Sequence, residues 1–124
     1  MKITCGIDII EIERVKESIE NVGTKFIERV YTEKEIEYCE SRKKQKYQHY
    51  AGRFAAKEAA FKAISKILDD KYSVCWKDFE TINDGQGRPS IILHNINTEK
   101  IESIDVSISH CKEYAIANVV ILFK

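Results

Sequence analysis

One segment restricts the possible folds of this chain more than any other: "GRFAAKEAAFKAI", residues 52–64. Its spacing predicts a long helix over roughly residues 48–68. On a wheel of about 100° per residue, Ile64, Lys57, Leu68, Phe61, Phe54 and Ser65 share an arc of roughly 120°. Arg53 borders one edge of that arc, and Glu58 and then Lys62 lie past the other. The opposite side is mostly alanine, including Ala55, Ala59 and Ala63, which permits close packing and leaves no clean solvent face. Such a helix belongs at the centre of a domain, where charge is costly to bury unless it is paired.

Two accounts of those charges are open. Glu58 and Lys62 can form an i,i+4 surface pair while Lys57 reaches outward along its apolar stem. Alternatively, three cations around one carboxylate form an anion site that contains a metal ligand. A single carboxylate is a poor magnesium site, so the second account requires another acid from elsewhere in the chain. Asp8 is the candidate. It follows Gly6 and Ile7 where a strand gives way to a helix, among the apolar Ile7, Ile9 and Ile10. A plain N-cap for the next helix is the competing explanation.

Around this helix the pattern reads as α+β, an antiparallel sheet packed with a long central helix. "KITCGIDI" has strand character, and from about Ile9 the period becomes helical through Ile12, Val15, Ile19 and Val22. "TEKE" is a capping box, Thr32 with Glu35, opening a short polar helix to about Arg42. "SRKKQKY" is a basic exposed stretch. In the second half "YSVCWKDFETI" is expected to be a strand, "NDGQGRP" a turn and "SIILHNI" a second strand. A polar helix or turn follows near 97–102, then the alternating "IDVSIS" and the almost fully buried "YAIANVVILF". This last strand is apolar on both faces, which calls for helix cover on one side or burial at a subunit contact.

With 124 residues, one proline and no repeat or linker, residues 1–124 make a single domain. A formal net charge of zero gives nucleic-acid binding no support. No apolar run approaches membrane-spanning length, and "MKITCGIDII" meets charged residues too early for a signal peptide. The four cysteines are widely spaced without a C-x-x-C pair, as expected of reduced thiols in the cytoplasm.

Taken together and in order, "GIDIIEIERV", "GRFAAKEAAFKAI", the turn "GRP" and "VSISHCKEYAIANVV" resemble holo-[acyl-carrier-protein] synthase, the short bacterial class of 4′-phosphopantetheinyl transferase. The resemblance runs nearly end to end. It implies transfer of the phosphopantetheine arm of coenzyme A to a serine of an apo acyl carrier protein, with release of adenosine 3′,5′-bisphosphate. It implies Mg2+ held by Asp8 and Glu58, with the diphosphate of coenzyme A and water completing the shell. Arg53, Lys57 and Lys62 become phosphate partners, Lys62 at the leaving phosphate, and Glu58 or a metal-bound water is the base. Ser109 and His110 hold the nucleotide end, with Gly87, Arg88 and Pro89 near the adenine; a strand-end histidine without a ligand is the plainer account of His110. Lys44, from the basic stretch, reaches the 3′-phosphate. Arg14, Lys25, Phe26 and Arg29 form the face for an acidic carrier protein. In the first helix Glu11, Glu13, Glu17 and Glu20 outnumber Arg14 and Lys16, so carrier contact is expected to be weaker or differently centred. Cys111 stands where a hydroxyl or acid is expected, with small effect. Members of this class are homotrimers with active sites between subunits. A carrier domain of polyketide or peptide synthesis as substrate, and a non-catalytic coenzyme A-binding protein, are the alternatives.

Overall fold

The structure, a computed structural model, describes residues 2–70 and 72–124. Strand β1 (Lys2–Glu11) is followed by helices α1 (Ile12–Val22), α2 (Thr24–Val30), α3 (Glu33–Ser41) and α4 (Lys46–Ile64). Strands β2 (Phe79–Asn83), β3 (Pro89–Leu93), β4 (Ile101–His110) and β5 (Tyr114–Phe123) complete the chain. The α+β class and the central helix are as the sequence implies. All strand pairing is antiparallel, in a three-stranded sheet ordered β1-β5-β4 and a separate β2-β3 hairpin.

The alanine face of α4 determines how helix and sheet meet. Ala55, Ala56, Ala59, Ala60 and Ala63 are fully buried in one core with Ala117, Val119 and Ile121 of β5. The approach to β1 is closer still. A Cβ at Gly6 would lie 2.0 Å from the Ala59 carbonyl oxygen and 2.9 Å from the Ala63 nitrogen, so only glycine lets the two backbones touch. Two residues earlier, the Thr4 hydroxyl donates to the Ala63 carbonyl at 2.7 Å. A second core gathers α1, α2 and α3 around the first half of α4. Ile12, Val15, Ile19, Val30, Tyr31 and Tyr50 are buried there, and the Tyr31 hydroxyl donates to the Tyr50 carbonyl at 2.7 Å.

Three local expectations are revised. Helix α1 begins at Ile12 because β1 keeps pairing with β5 as far as Glu11 opposite Tyr114. The sheet overrides the helical period that starts near Ile9. Residues 72–82 are a strand only from Phe79; Trp76–Asp78 form a 3₁₀ turn, with an Asp78 carboxylate oxygen accepting from the Cys75 nitrogen at 2.9 Å. Strand β5 is buried on one face alone, its residues alternating from Tyr114 to Phe123. The capping box is present as read: Thr32 and Glu35 each accept from the other's backbone nitrogen. No helix among the described residues is long and apolar enough to cross a membrane.

Candidate functional site

Strand alternation aims the first acid. In β1 the odd residues Ile3, Cys5, Ile7 and Ile9 are exposed, while Thr4 and Gly6 are buried against α4; Asp8 shares their side. There it meets α4. Lys62 donates to the Ile7 carbonyl at 2.9 Å and to Asp8 Oδ1 at 3.3 Å. Asp8 is therefore no helix cap; the N-cap of α1 is Glu11, which makes no capping side-chain bond. Glu58 stands beside this pair. Burial, then the charge of Asp8, push its carboxyl above the usual carboxylate range, and Lys62 opposes them. Asp8 and Glu58 line one groove of about 480 Å³ with Glu11, Arg14, Phe26 and Phe54.

This donor set suits a hard divalent cation. Two carboxylates that repel one another in a half-buried groove gain from a shared cation, and hard oxygen ligands are those magnesium prefers. Among the described residues no cluster of three or more acidic, histidine or cysteine side chains is formed. The remaining ligands would be water and phosphate oxygens, the usual magnesium shell at a phosphoryl group.

Lys57 stands apart from this groove's chemistry. Its side chain is fully buried, and Nζ donates to Glu35 Oε1 at 2.6 Å, to the Phe79 carbonyl at 2.7 Å and to the Trp76 carbonyl at 3.2 Å. An ammonium has three protons, and all three are committed inside the protein. The expectation of Lys57 as a phosphate partner is therefore corrected.

Arg53 belongs to a second group. It lies nine residues from Lys62, a separation of about 180° around the helix, so the two point in opposite directions. The Arg53 guanidinium donates to Asn83 Oδ1 and packs over the Tyr38 ring, 4.0 Å from its centroid. Asn83 in turn donates to the Gly87 carbonyl at 2.9 Å. Gly87 has a φ of 82°, a left-handed conformation suited to glycine. A hollow of about 390 Å³ is lined by Tyr38, Ser41, Arg53, Thr81 and Asn83. Arg53 Nε and Thr81 Oγ1, both buried, have no hydrogen-bond partner among the described residues. The His110 ring lies 6.2 Å from that of His49. Burial, then Arg53, Arg42 and His110, depress the His49 pKa to about 4.

The predicted residues thus fall into two sets. Asp8, Glu58, Lys62, Arg14 and Phe26 come together; Arg53, Gly87 and His110 gather on another side of α4. Ser109 is exposed on the sheet face away from α4, opposite Ile116 in the register. Lys44, Arg88, Lys25 and Arg29 are exposed, and Pro89 opens β3. Phe54, Tyr38, His49 and Asn83 were not anticipated. A charge as deep in the apolar arc as Lys57 was the available signal for a buried acid, and Glu35 is that acid.

Residues 4–119 match the family described as the 4′-phosphopantetheinyl transferase superfamily. The chain is 46% identical to the holo-[acyl-carrier-protein] synthase of Ruminiclostridium cellulolyticum, an alignment covering 98% of this chain and 92% of that protein. It is 40% identical to that of Solibacter usitatus, with 98% of each covered. A solved structure of holo-(acyl-carrier-protein) synthase from Bacillus anthracis in complex with CoA (3′,5′-ADP) is similar with a TM-score of 0.79 at 37% identity, over 95% of this chain and 94% of that one. The Helicobacter pylori enzyme in complex with coenzyme A gives 0.82 at 32% identity, over 95% and 99%.

Proposed function

Because the chain belongs to the 4′-phosphopantetheinyl transferase superfamily, we propose that it moves the 4′-phosphopantetheine arm of coenzyme A onto a serine of an apo acyl carrier protein, releasing adenosine 3′,5′-bisphosphate. The observation that carries this reading is the convergence of Asp8 and Glu58 in one groove that Arg14 and Phe26 also line, with Lys62 paired to Asp8. Asp8 and Glu58 are the residues that would hold magnesium. Bound there, the ion would offset the charge of the diphosphate as its β-phosphoryl group is transferred. Lys62, now paired with Asp8, is free to turn its ammonium to the leaving phosphate once Asp8 is otherwise occupied. Glu58, beside Asp8 in the groove, or a water held next to it would take the serine proton. Arg14 and Phe26 offer a basic and an apolar contact to an acidic carrier.

The nucleotide end of coenzyme A belongs in the second hollow, where Arg53 Nε and Thr81 Oγ1 lack partners. Since Arg53 and Lys62 face apart on α4, one chain does not wrap a single coenzyme A with both. We place the reaction between neighbouring copies in a homotrimer. The exposed Ile3, Ile7, Ile9 and Val120 on the outer sheet face support this assembly. Its setting is the cytoplasm, in keeping with four free cysteines.

The direct test is the intact mass of an apo acyl carrier protein after incubation with this protein, coenzyme A and magnesium, with a chelator control. A phosphopantetheine-sized gain, lost with the chelator, is expected. No gain with several fatty-acid carriers, while coenzyme A still binds, would move the reading to a specialised carrier domain or to nucleotide binding without catalysis.

A further inference from the structure

Lys57 and Glu35 form an ion pair whose side chains are both 0% exposed. Each is tied to more than the other. Lys57 holds the carbonyls of Trp76 and Phe79, at the start of the 3₁₀ turn and just past its end. Glu35 accepts from the Thr32 nitrogen at 2.9 Å and the Thr81 nitrogen at 3.0 Å, so one carboxylate joins the start of α3 to β2. All three Lys57 protons and both Glu35 oxygens are engaged inside the protein. Its neighbours, however, are groups of the groove. Glu58 is the next residue along α4. The Trp76 indole, in the turn that Lys57 grips, stacks on Phe54 with centroids 5.1 Å apart and planes at 30°. Phe54 and Glu58 line the groove together, and a smaller hollow on the other side of Glu58 is walled by Phe61, Val74, Trp76 and Phe79.

We propose that the Lys57–Glu35 pair is the positioning device of the site: by gripping the Trp76–Phe79 turn and the start of α3 from the centre of α4, it sets the wall against which Glu58 stands. This rests on the reading above that Glu58 works in the groove. A well-packed apolar pair would hold a core as firmly as a buried ion pair. What it lacks is direction. Three bonds from one ammonium, to two carbonyls and a carboxylate, fix both the rotation of α4 and the height of the turn. Outer partners of this kind act through the residues they orient.

The test uses Lys57→Met and the milder Glu35→Gln, which keeps the side-chain volume. Val106→Ala, a core residue of β4 outside the site, reports the effect of destabilisation alone. Trp76 is the only tryptophan, so its emission in the metal-free protein reads the wall directly. We expect shifted Trp76 emission, a higher magnesium concentration for half-maximal transfer, and a kcat lower by about 10–100-fold in both pair variants, with KM for coenzyme A little changed. Val106→Ala should move none of these. A folded Lys57→Met or Glu35→Gln protein with wild-type emission, kcat and magnesium dependence overturns the proposal, as does an equal loss in Val106→Ala. If Lys57→Met does not fold, Glu35→Gln decides. An inactive wild-type protein would instead overturn the transferase reading, and Trp76 emission would still decide whether the pair holds the wall.

Discussion

Arg53, Lys57, Glu58 and Lys62 share one helix but not one surrounding, and each surrounding sets what its residue can do. Lys57 is buried and committed, so its removal leaves Glu35 charged with no cation; breaking a buried pair from one side costs about 3–5 kcal/mol. Asp8 is different: its carboxylate keeps partial exposure and caps no helix. Asp8→Ala and Glu58→Ala are therefore expected to lose transfer entirely while their unfolding midpoints stay near wild type. A large fall in the midpoint of either variant would give it a structural role instead. His49 bears on stability through pH. Its folded pKa of about 4 lies below the ordinary 6.5, so between those values the unfolded chain binds a proton that the folded one refuses. Its contribution is fully present above pH 6.5 and is lost as pH falls towards 4. Thermal midpoints at pH 7 and pH 5 should converge for His49→Gln relative to wild type; parallel falls in the two proteins would dismiss the effect.

Among the elements, the contact of β1 with α4 governs the rest, because it brings Asp8 to Glu58 and Lys62. That contact depends on Gly6, where a side chain would meet backbone rather than a movable neighbour. Gly6→Ala must push the strand from the helix, with a stability loss of about 1–3 kcal/mol or more, the usual range for overpacking. Because Asp8 lies two residues on, transfer should fall further than stability explains. Denaturant titration and kcat measured together check this; a stable, active variant would mean that strand and helix can slide apart harmlessly. The capping box works on the same scale. Thr32 caps the start of α3 and also donates to Glu80, which further pairs with His94 at 3.0 Å. Burial pushes the Glu80 carboxyl up, and these two partners more than offset it.

In the whole molecule, the outer sheet face is the feature left uncovered by a single chain. Ile3, Ile7 and Ile9 are 65%, 56% and 61% exposed, a row too apolar to face water without cost. In the homotrimer proposed above, this row is the face a neighbouring copy would cover. Ile9→Lys with Val120→Lys is expected to give monomers by sedimentation and to remove transfer, with each chain still folded. Active monomers would refute the inter-subunit site.

What the amino-acid order determined by itself is local: the long helix and its alanine face, the capping box, the alternating strands, and the two acids whose chemistry suits a cation. These follow from neighbours a few residues apart, through helical and strand periods and through backbone donors that a nearby side chain can satisfy. Tertiary structure decided the rest. It split residues 72–82 into a turn and strand β2, because Lys57 draws the carbonyls of Trp76 and Phe79 inward. It chose Glu35, 22 positions from Lys57 and 46 from Thr81, as the acid between them. It also decided what Arg53 and Lys62 meet on the opposite sides of α4 where they stand. The helical period announces that separation, but which partners wait on each side depends on how distant segments share one core, and no local pattern carries that information.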